Sequence, residues 1–332
     1  MMLVLGYFGN RTNKLDGQTV KTRDVYRLAK EQYGDCVEYF DTEEFKFGKT
    51  SVFRMLIKVM RCKDLIYLPA HGNLKYLFPI LFCLSVVCRF KVHYVVIGGW
   101  LREYLASLPL HRCMLSRVSG IHVETKKLKE ELEDYYKFRN VNILPNFRFF
   151  DFVPKYSVSH KLRMVFMARI NKMKGLDWLF YLADYIVSNG LEDKFSLTFY
   201  GQVNKDDERY FVSNVAKYSF VEYKGALLPS DIYDNLSRYD VLLLPTHFYT
   251  EGLPGSVVDA YIAGVPVIVT AWKYAEEFVD DGVSGFVIPF EDGQDDLVSR
   301  VLLLESNRHI LKQMKENVLV KRGDFSPPLL PF

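Results

Sequence analysis

Short apolar runs alternate with longer amphipathic or charged segments along most of the chain. Such runs predict β-strands, and those in the first half lie at 3–8, 64–69, 92–97 and 120–125. The second half continues with predicted strands at 163–168, 195–200, 220–225, 240–245, 266–269 and 285–289. Helices are predicted between them, for example at 18–32 and 126–136. Apolar strands that alternate with helices are typical of parallel sheets covered on both faces.

The predicted fold class is therefore α/β, with two doubly wound, Rossmann-like domains whose sheets face a cleft. A chain of 332 residues with 49% hydrophobic positions is long enough for two ordinary cores. The aromatic, proline-punctuated segment 145–160 is the predicted linker. We expect a first domain at 1–150, a second at 151–320, and a tail at 321–332 that returns toward the first domain.

The formal net charge of +3 is divided unevenly between the two halves. Residues 1–150 carry 24 Lys and Arg against 15 Asp and Glu, whereas the second half has an acidic excess. This favours an anionic partner for the first half, either a membrane surface or phosphate groups, and no nucleic acid is expected. Arg54, Lys58, Arg61 and Lys63 recur along one face of an apolar helical segment, which suits anionic lipid head groups. A simply solvated helix face is the alternative.

All five cysteines lie in the first half and none forms a C-x-x-C pair. This usage favours reduced thiols over a disulfide framework or a zinc site. The apolar run 76–88 is too short to span a bilayer, so it predicts either a buried helix or one that lies on a membrane. The N-terminus lacks the basic region of a signal peptide. We expect a cytoplasmic protein, peripheral on the inner face of the cell membrane.

The segment Glu251–Gly264, between two predicted strands, carries the clearest chemical signal. A carboxylate in a Gly/Pro turn can accept hydrogen bonds from sugar hydroxyls, and the helix start that follows attracts phosphate charge. A second carboxylate, Asp259, is expected two turns into that helix, on the face of Ser256. For Asp259 the alternative is a solvated or capping acid. The combination suits a sugar joined to a diphosphate.

Two loops that follow predicted strands are candidates for binding phosphate. In 168–175, Arg169 and Lys174 are five positions apart across a turn, so both can converge on one anion. An ordinary basic loop is the alternative. The loop from Gly9 to Gly17 can bring backbone N–H groups against a phosphate. It is not G-x-G-x-x-G, and no acid follows the second strand in the way that dinucleotide binding needs, so it gives little support to nicotinamide binding.

Two further loops are candidates for the acceptor side of a transfer site. His71 follows a predicted strand, where it can bind an acceptor or relay a proton. Gly98 and Gly99 permit close approach of a ligand, and Trp100 can stack on a sugar. The alternatives are a surface histidine and a tight turn with a packing tryptophan.

Together these segments resemble the family 4 retaining glycosyltransferases of GT-B fold, of the kind that assemble bacterial capsule, O-antigen or exopolysaccharide. The signature of that family is matched by EGLPGSVVDAYIAGVPVI, and its basic pair by Arg169 and Lys174-Gly175. Pro145-Asn146-Phe147 stands where the family has its domain-end signature, and 281–292 resembles the segment after the main motif.

The resemblance implies a nucleotide-sugar donor, with uridine as the expected base, bound mainly by the second domain. Glu251, Arg169 and Lys174 would be the catalytic residues: the two basic groups neutralise the diphosphate and Glu251 binds the sugar. Asp259 would bind the ribose, and Gly17 would approach the donor from the first domain. The remaining donor-binding positions would be Gly201, Ala226, Leu227, Gly252, Leu253, Pro254, Gly255, Ser256 and Val257. No metal and no other cofactor is expected, because the basic side chains take the place of Mg²⁺.

The chain departs from the family in three places. Asp259 replaces the usual Glu and is one methylene shorter. The histidine that often follows the strand ending before Gly98 is missing, so no base is assigned. The last helix, which usually crosses back onto the first domain, is expected to be short or missing.

The expected function is retaining transfer of a hexose-type sugar to a hydroxyl of a glycan or a polyprenyl-diphosphate-linked acceptor. Two alternatives remain open: a UDP-sugar 2-epimerase of the same fold, which needs no acceptor, and a catalytically inactive, transferase-like scaffold. Binding of a donor separates the scaffold from the enzymes, and dependence on an acceptor separates the transferase from the epimerase.

Overall fold

The computed structural model describes residues 1–14, 16–48, 50–69, 71–156 and 159–331, and leaves the side chains at 71 and 72 undescribed. The chain divides into two compact units. Unit 1 contains Met1–Phe149 together with the C-terminal residues from Pro327 onward. Unit 2 contains Phe150–Ser326.

In unit 1 the described residues form one sheet of six parallel strands, in the order β2-β1-β3-β4-β5-β6. The strands are β1 (Met2–Gly6), β2 (Val37–Asp41), β3 (Asp64–Leu68), β4 (Lys91–Val95), β5 (Gly120–Val123) and β6 (Val141–Ile143). The helices are α1 (Gly17–Tyr33), α2 (Thr50–Arg61), α3 (His71–Cys88), α4 (Leu101–Leu105), α5 (Pro109–Leu115) and α6 (Lys126–Tyr136).

Unit 2 repeats the scheme, and its described residues form six parallel strands in the order β12-β11-β10-β7-β8-β9. The strands are β7 (Leu162–Met167), β8 (Phe195–Tyr200), β9 (Val221–Tyr223), β10 (Val241–Leu244), β11 (Val267–Thr270) and β12 (Gly285–Ile288). The helices are α7 (Leu176–Ser188), α8 (Glu208–Val215), α9 (Ile232–Leu236), α10 (Gly255–Ile262), α11 (Gln294–Ser306) and α12 (Arg308–Lys321). Two doubly wound parallel sheets confirm the predicted fold class.

The C-terminal residues complete one face of the unit 1 core. Leu330 is buried in the same cluster as Val25 and Leu28 of α1 and Phe147. The side chain of Gln32 clamps this segment, because its Nε2 donates to the Pro328 carbonyl at 2.9 Å and its Oε1 accepts from the Leu330 amide at 3.0 Å. Extended chain, rather than a helix, makes this contact.

The segment predicted as a linker is partly core. Phe147 is fully buried and packs edge-on against Phe149, at 5.9 Å between ring centroids. The proline and aromatic content of 145–160 suggested exposed chain, but aromatic side chains beside a sheet are more stable buried. The start of this segment therefore belongs to unit 1, and unit 2 begins at Phe150.

Candidate functional site

The structure brings Lys174 and Glu251 into direct contact. Lys174 ends a 3₁₀ turn (Lys172–Lys174) after β7, and Glu251 lies in the loop after β10, the neighbour of β7 in the sheet. Lys174 Nζ and Glu251 Oε2 are 2.5 Å apart, with side chains 16% and 19% exposed. The carboxylate therefore pairs with the lysine through Oε2, and its Oε1 accepts from no described residue.

Gly175 fixes the position of Lys174. Its φ of +82° lies in the left-handed region, and a Cβ there would stand 1.9 Å from the Pro245 carbonyl oxygen. Only glycine allows the backbone after β7 to pass this close to the end of β10. This close approach holds Lys174 within reach of the loop that carries Glu251.

Substitution of Gly175 by alanine is expected to cost about 3 kcal/mol or more, because left-handed strain adds to a clash with backbone that cannot yield. Gly190→Ala is the matched control, since Gly190 has φ +64° and open space around it. It is expected to cost about 1–2 kcal/mol. Thermal unfolding measures both. Equal losses at the two positions would contradict the role of the Pro245 contact.

Three residues absent from the predicted site hold the loop of Glu251. The Thr246 hydroxyl lies 3.4 Å from Glu251 Oε2, and the Thr270 hydroxyl donates to the Thr246 carbonyl at 2.6 Å. The buried Trp272 donates through Nε1 to the Gly252 carbonyl at 3.2 Å. Each follows or ends a predicted strand at the carboxyl edge of the sheet, which is the signal by which they could have been found.

Helix α10 begins at Gly255, after Pro254, and no side chain caps it. The Val257 amide donates to the Pro254 carbonyl at 3.1 Å, whereas no described residue accepts from the Gly255 and Ser256 amides, one loop away from Glu251. Asp259 is the fifth residue of this helix, so it lies one turn inside, not two as predicted. It is also buried, which excludes a solvated acid. The prediction placed the start of the helix too early. The helix begins only after Pro254, because this proline ends the preceding turn.

The other predicted donor-binding residues lie at the same edge of the unit 2 sheet. Arg169 follows β7 and its side chain is exposed. Gly201 follows β8, with φ +140° and no room for a Cβ beside the Ala168 carbonyl. Its amide donates to the Gly225 carbonyl at 2.9 Å, directly before Ala226 and Leu227. These loops therefore end neighbouring strands, as ligand-binding loops in open α/β sheets do.

The first loop of unit 1 does not leave its amides open for a phosphate. The Phe8 and Asn10 amides donate to Asp41, at 3.0 and 3.1 Å, and the Arg11 amide donates to Glu43 at 2.9 Å. For these amides the prediction of phosphate binding is wrong, because two carboxylates already accept their hydrogen bonds. Asp41 ends β2, a strand that the sequence did not predict, so an acid does lie at the end of the second strand in the structure. Gly17 itself is the exposed first residue of α1.

On the predicted acceptor side, a buried ion pair anchors the glycine turn. Lys21 Nζ lies 3.2 Å from Glu124 Oε1, and Glu124 Oε2 accepts from the Gly98 amide at 3.2 Å. Burial lowers the pKa of Lys21, and the charge of Glu124 opposes this shift. Gly98 has φ +87°, a left-handed conformation that favours glycine. Gly99 follows it in the same turn.

Trp100 closes this turn rather than standing free as a sugar platform. Its Nε1 donates to the Ile97 carbonyl at 2.7 Å, and its ring packs edge-on against Tyr104. These contacts favour the interpretation as a tight turn with a packing tryptophan. His71 begins α3, and its side chain lies outside the described part of the chain.

Within the part of the chain that the structure describes, no three His, Cys, Asp or Glu side chains come together as metal ligands would. None of the described helices is both long and apolar enough to cross a bilayer.

Residues 149–319, more than half of the chain, match the family Glycosyl transferases group 1. The protein therefore belongs to that family. An uncharacterized 41.2 kDa protein in the cps region of Klebsiella pneumoniae is 31% identical over 133 residues, which cover 40% of this chain. A putative colanic acid biosynthesis glycosyltransferase, WcaL, of Salmonella typhimurium is 26% identical over 141 residues, also 40% of this chain. The chain spans about a third of the length of these curated relatives, 34% of each.

The fold of the whole chain is also similar to solved structures. The crystal structure of Anabaena Alr3699/HepE in complex with UDP-glucose gives a TM-score of 0.74 at 15% identity, and the match covers 98% of this chain and 95% of that one. Identity this low shows the fold alone. With two parallel α/β sheets and this likeness, the architecture is GT-B.

Proposed function

We propose that the protein is a retaining glycosyltransferase that moves a hexose-type sugar from a nucleotide-sugar donor to a hydroxyl group of a glycan or lipid-linked oligosaccharide. The observation that carries the proposal is the contact of Lys174 with Glu251 beside the uncapped start of α10. The Lys174 cation and the amides at the start of α10 match the leaving diphosphate, and the open oxygen of the Glu251 carboxylate matches the sugar hydroxyls. The cps and colanic acid relatives support surface polysaccharide as the product.

In the proposed complex, Arg169 and Lys174 bind the two phosphates, and the amides of Gly255 and Ser256 add the positive end of α10. Glu251 keeps one oxygen near Lys174 and accepts from sugar hydroxyls with the other. Uridine is the proposed base, near Ala226 and Leu227. UDP-glucose in the similar Anabaena structure supports this choice.

The proposed reaction needs no protein base. The bond between sugar C1 and the diphosphate oxygen breaks toward an oxocarbenium-like state, and its electrons stay on the leaving phosphate. The acceptor oxygen forms the new bond to C1 on the same face, and its proton passes to a phosphate oxygen. Arg169 and Lys174 stabilise the charge that develops on that phosphate, and for this reason we propose a metal-independent reaction.

The first test is a calorimetric panel of UDP, GDP, ADP and UDP-sugars, with and without Mg²⁺. We expect one nucleotide to bind without metal, and Arg169→Ala to weaken it and lower kcat by roughly 10²-fold. Arg209→Ala is the matched control, because Arg209 is exposed in α8 of the same unit.

The outcomes separate the alternatives. Absence of binding to every nucleotide would favour the inactive scaffold. Turnover of a UDP-sugar without any acceptor would favour the 2-epimerase. Near wild-type turnover in Arg169→Ala would contradict the assigned role of that residue.

A further inference from the structure

The outward face of α2 carries an apolar stripe that is exposed on the surface of unit 1. Phe53, Ile57 and Met60 follow one another at helical spacing, and all three are exposed, Phe53 at 69%. The opposite stripe, Ser51, Met55 and Val59, is buried against the unit. Helix α2 is therefore apolar on its solvent-facing side as well as on the side that packs against the unit.

Helix α3 has the same unusual surface. Tyr76, Ile80, Cys83 and Val87 are spaced by four, three and four residues, so they form one line along the helix. Tyr76 is 72% exposed and Val87 78%, and the other two are also exposed. Large apolar side chains in a continuous exposed row mark interaction sites more often than scattered ones do.

The two helices that carry these stripes lie on the same face of the unit 1 sheet. The strand order β2-β1-β3-β4 with right-handed crossovers places α2 and α3 there, running in the same direction. Both helices end at the edge of the sheet where β3 and β4 begin, and there the Lys91 amide donates to the Lys63 carbonyl at 2.9 Å. We call the outward faces of these helices the α2–α3 surface.

The charge of this region is almost entirely positive. Between positions 45 and 102 the one acidic residue is Asp64. Arg54 and Lys58 form ion pairs with Glu44 and Glu38 at the border of the surface. Arg61 and Arg89 form no ion pair with any residue that the structure describes. Basic side chains with long aliphatic stems beside an apolar stripe suit the interface of an anionic bilayer.

We propose that the α2–α3 surface docks on an anionic lipid bilayer, with the apolar stripes at the acyl boundary and the basic side chains among phosphate head groups. A second copy of the chain is a poorer occupant, because it would bring two positive surfaces together. The inference stands on this surface alone and goes beyond the proposed transfer reaction. It adds the bilayer as a partner, because a surface bound to the bilayer holds the protein where a lipid-linked acceptor lies.

The test is flotation of the full chain with vesicles of phosphatidylglycerol mixed with phosphatidylcholine, and with phosphatidylcholine alone. We expect binding to the anionic vesicles at low salt that weakens in high salt. Phe53→Ser with Ile57→Ser, and separately Arg61→Gln with Arg89→Gln, should each lower the bound fraction at least tenfold. Val320→Ser and Lys312→Gln are matched controls on the exposed face of α12 and should bind like the wild type.

Absence of binding to anionic vesicles at low salt would overturn the proposal, as would equal binding to both kinds of vesicle. Binding that survives both double substitutions would also overturn it. Sedimentation that shows a dimer abolished by Phe53→Ser would assign the surface to a second copy instead. Calorimetry with UDP on the same variants keeps the two proposals separate, because none of the four positions lies in the donor site.

Discussion

Replacing Lys174 with methionine is expected to lower kcat by about 10²-fold or more, with a smaller effect on binding of the acceptor. The substitution keeps the aliphatic stem but removes the cation that we propose stabilises the leaving diphosphate. It also leaves Glu251 partly buried without its partner at 2.5 Å, so the sugar-binding carboxylate loses its fixed position. Steady-state kinetics with the nucleotide-sugar chosen by the binding panel measures the change.

Lys172→Met is the matched control for this prediction. Lys172 belongs to the same 3₁₀ turn, but it is exposed and lies over the Tyr210 ring at 4.6 Å. The Lys172→Met substitution should change kcat by no more than about twofold to threefold. An equal loss of activity in both variants would mean that the turn as a whole, and not the Lys174 cation, supports the reaction.

The partner substitution, Glu251→Gln, tests the same pair from the other side. Without the competing carboxylate, Lys174 is free for the diphosphate, so UDP is expected to bind up to about fivefold tighter, since a partly exposed ion pair is worth about 1 kcal/mol. Turnover should nevertheless fall, because a neutral amide accepts hydrogen bonds from sugar hydroxyls less strongly than a charged carboxylate does. Weaker binding of UDP in Glu251→Gln would contradict this competition.

Most of the fold could be predicted from the sequence because central parallel strands are buried on both faces. Such strands appear as unbroken apolar runs, as in Phe195–Tyr200, where prediction and structure agree at both ends. Strand β2 escaped prediction for the opposite reason. It is an edge strand with two exposed positions, and its sequence, VEYFD, shows no apolar run.

The candidate site could be predicted residue by residue, but its contacts could not. Lys174 and Glu251 are 77 positions apart, and each was a candidate for its own chemical character. Their ion pair depends on β7 and β10 being neighbours, which no local pattern encodes. The prediction for the first loop of unit 1 was wrong for the same reason. Its glycines suggested open amides, but Asp41 and Glu43 reach those amides from a strand that the sequence did not predict.

Acid is expected to destabilise unit 1 selectively, because two histidines are buried between β4 and β5. His93 Nδ1 and His122 Nε2 are 3.3 Å apart. Burial lowers the pKa of His93 to about 4, with the charge of Asp64 opposing the shift and that of Lys91 adding to it. Burial also lowers the pKa of His122 to about 3, and the charges of His93 and Lys21 add to this shift. Both rings are therefore neutral in the folded protein.

The sign of the pH effect follows from these shifts. In the unfolded chain a histidine has a pKa near 6.5. Below that pH the unfolded chain therefore binds protons that the folded unit does not bind. The stabilisation is complete above about pH 6.5 and is lost as the pH falls toward about 4. For two histidines the free energy of unfolding should drop by about 4 kcal/mol between neutral pH and pH 5. Hydrogen exchange of β4 and β5, corrected for intrinsic rates, should then lose about 10³-fold in protection.

The strands of unit 2 serve as an internal reference, and variants identify the groups responsible. His93→Gln with His122→Gln should lower stability at neutral pH but remove most of the loss in acid. His309→Gln, at an exposed position of α12, should keep the wild-type pH dependence. If β4 and β5 lose protection no faster than the strands of unit 2, or if the double variant keeps the full acid slope, the buried histidines are not the cause. Carboxylates that pair in the folded state, such as Asp240 with Arg163 in unit 2, would then account for acid unfolding.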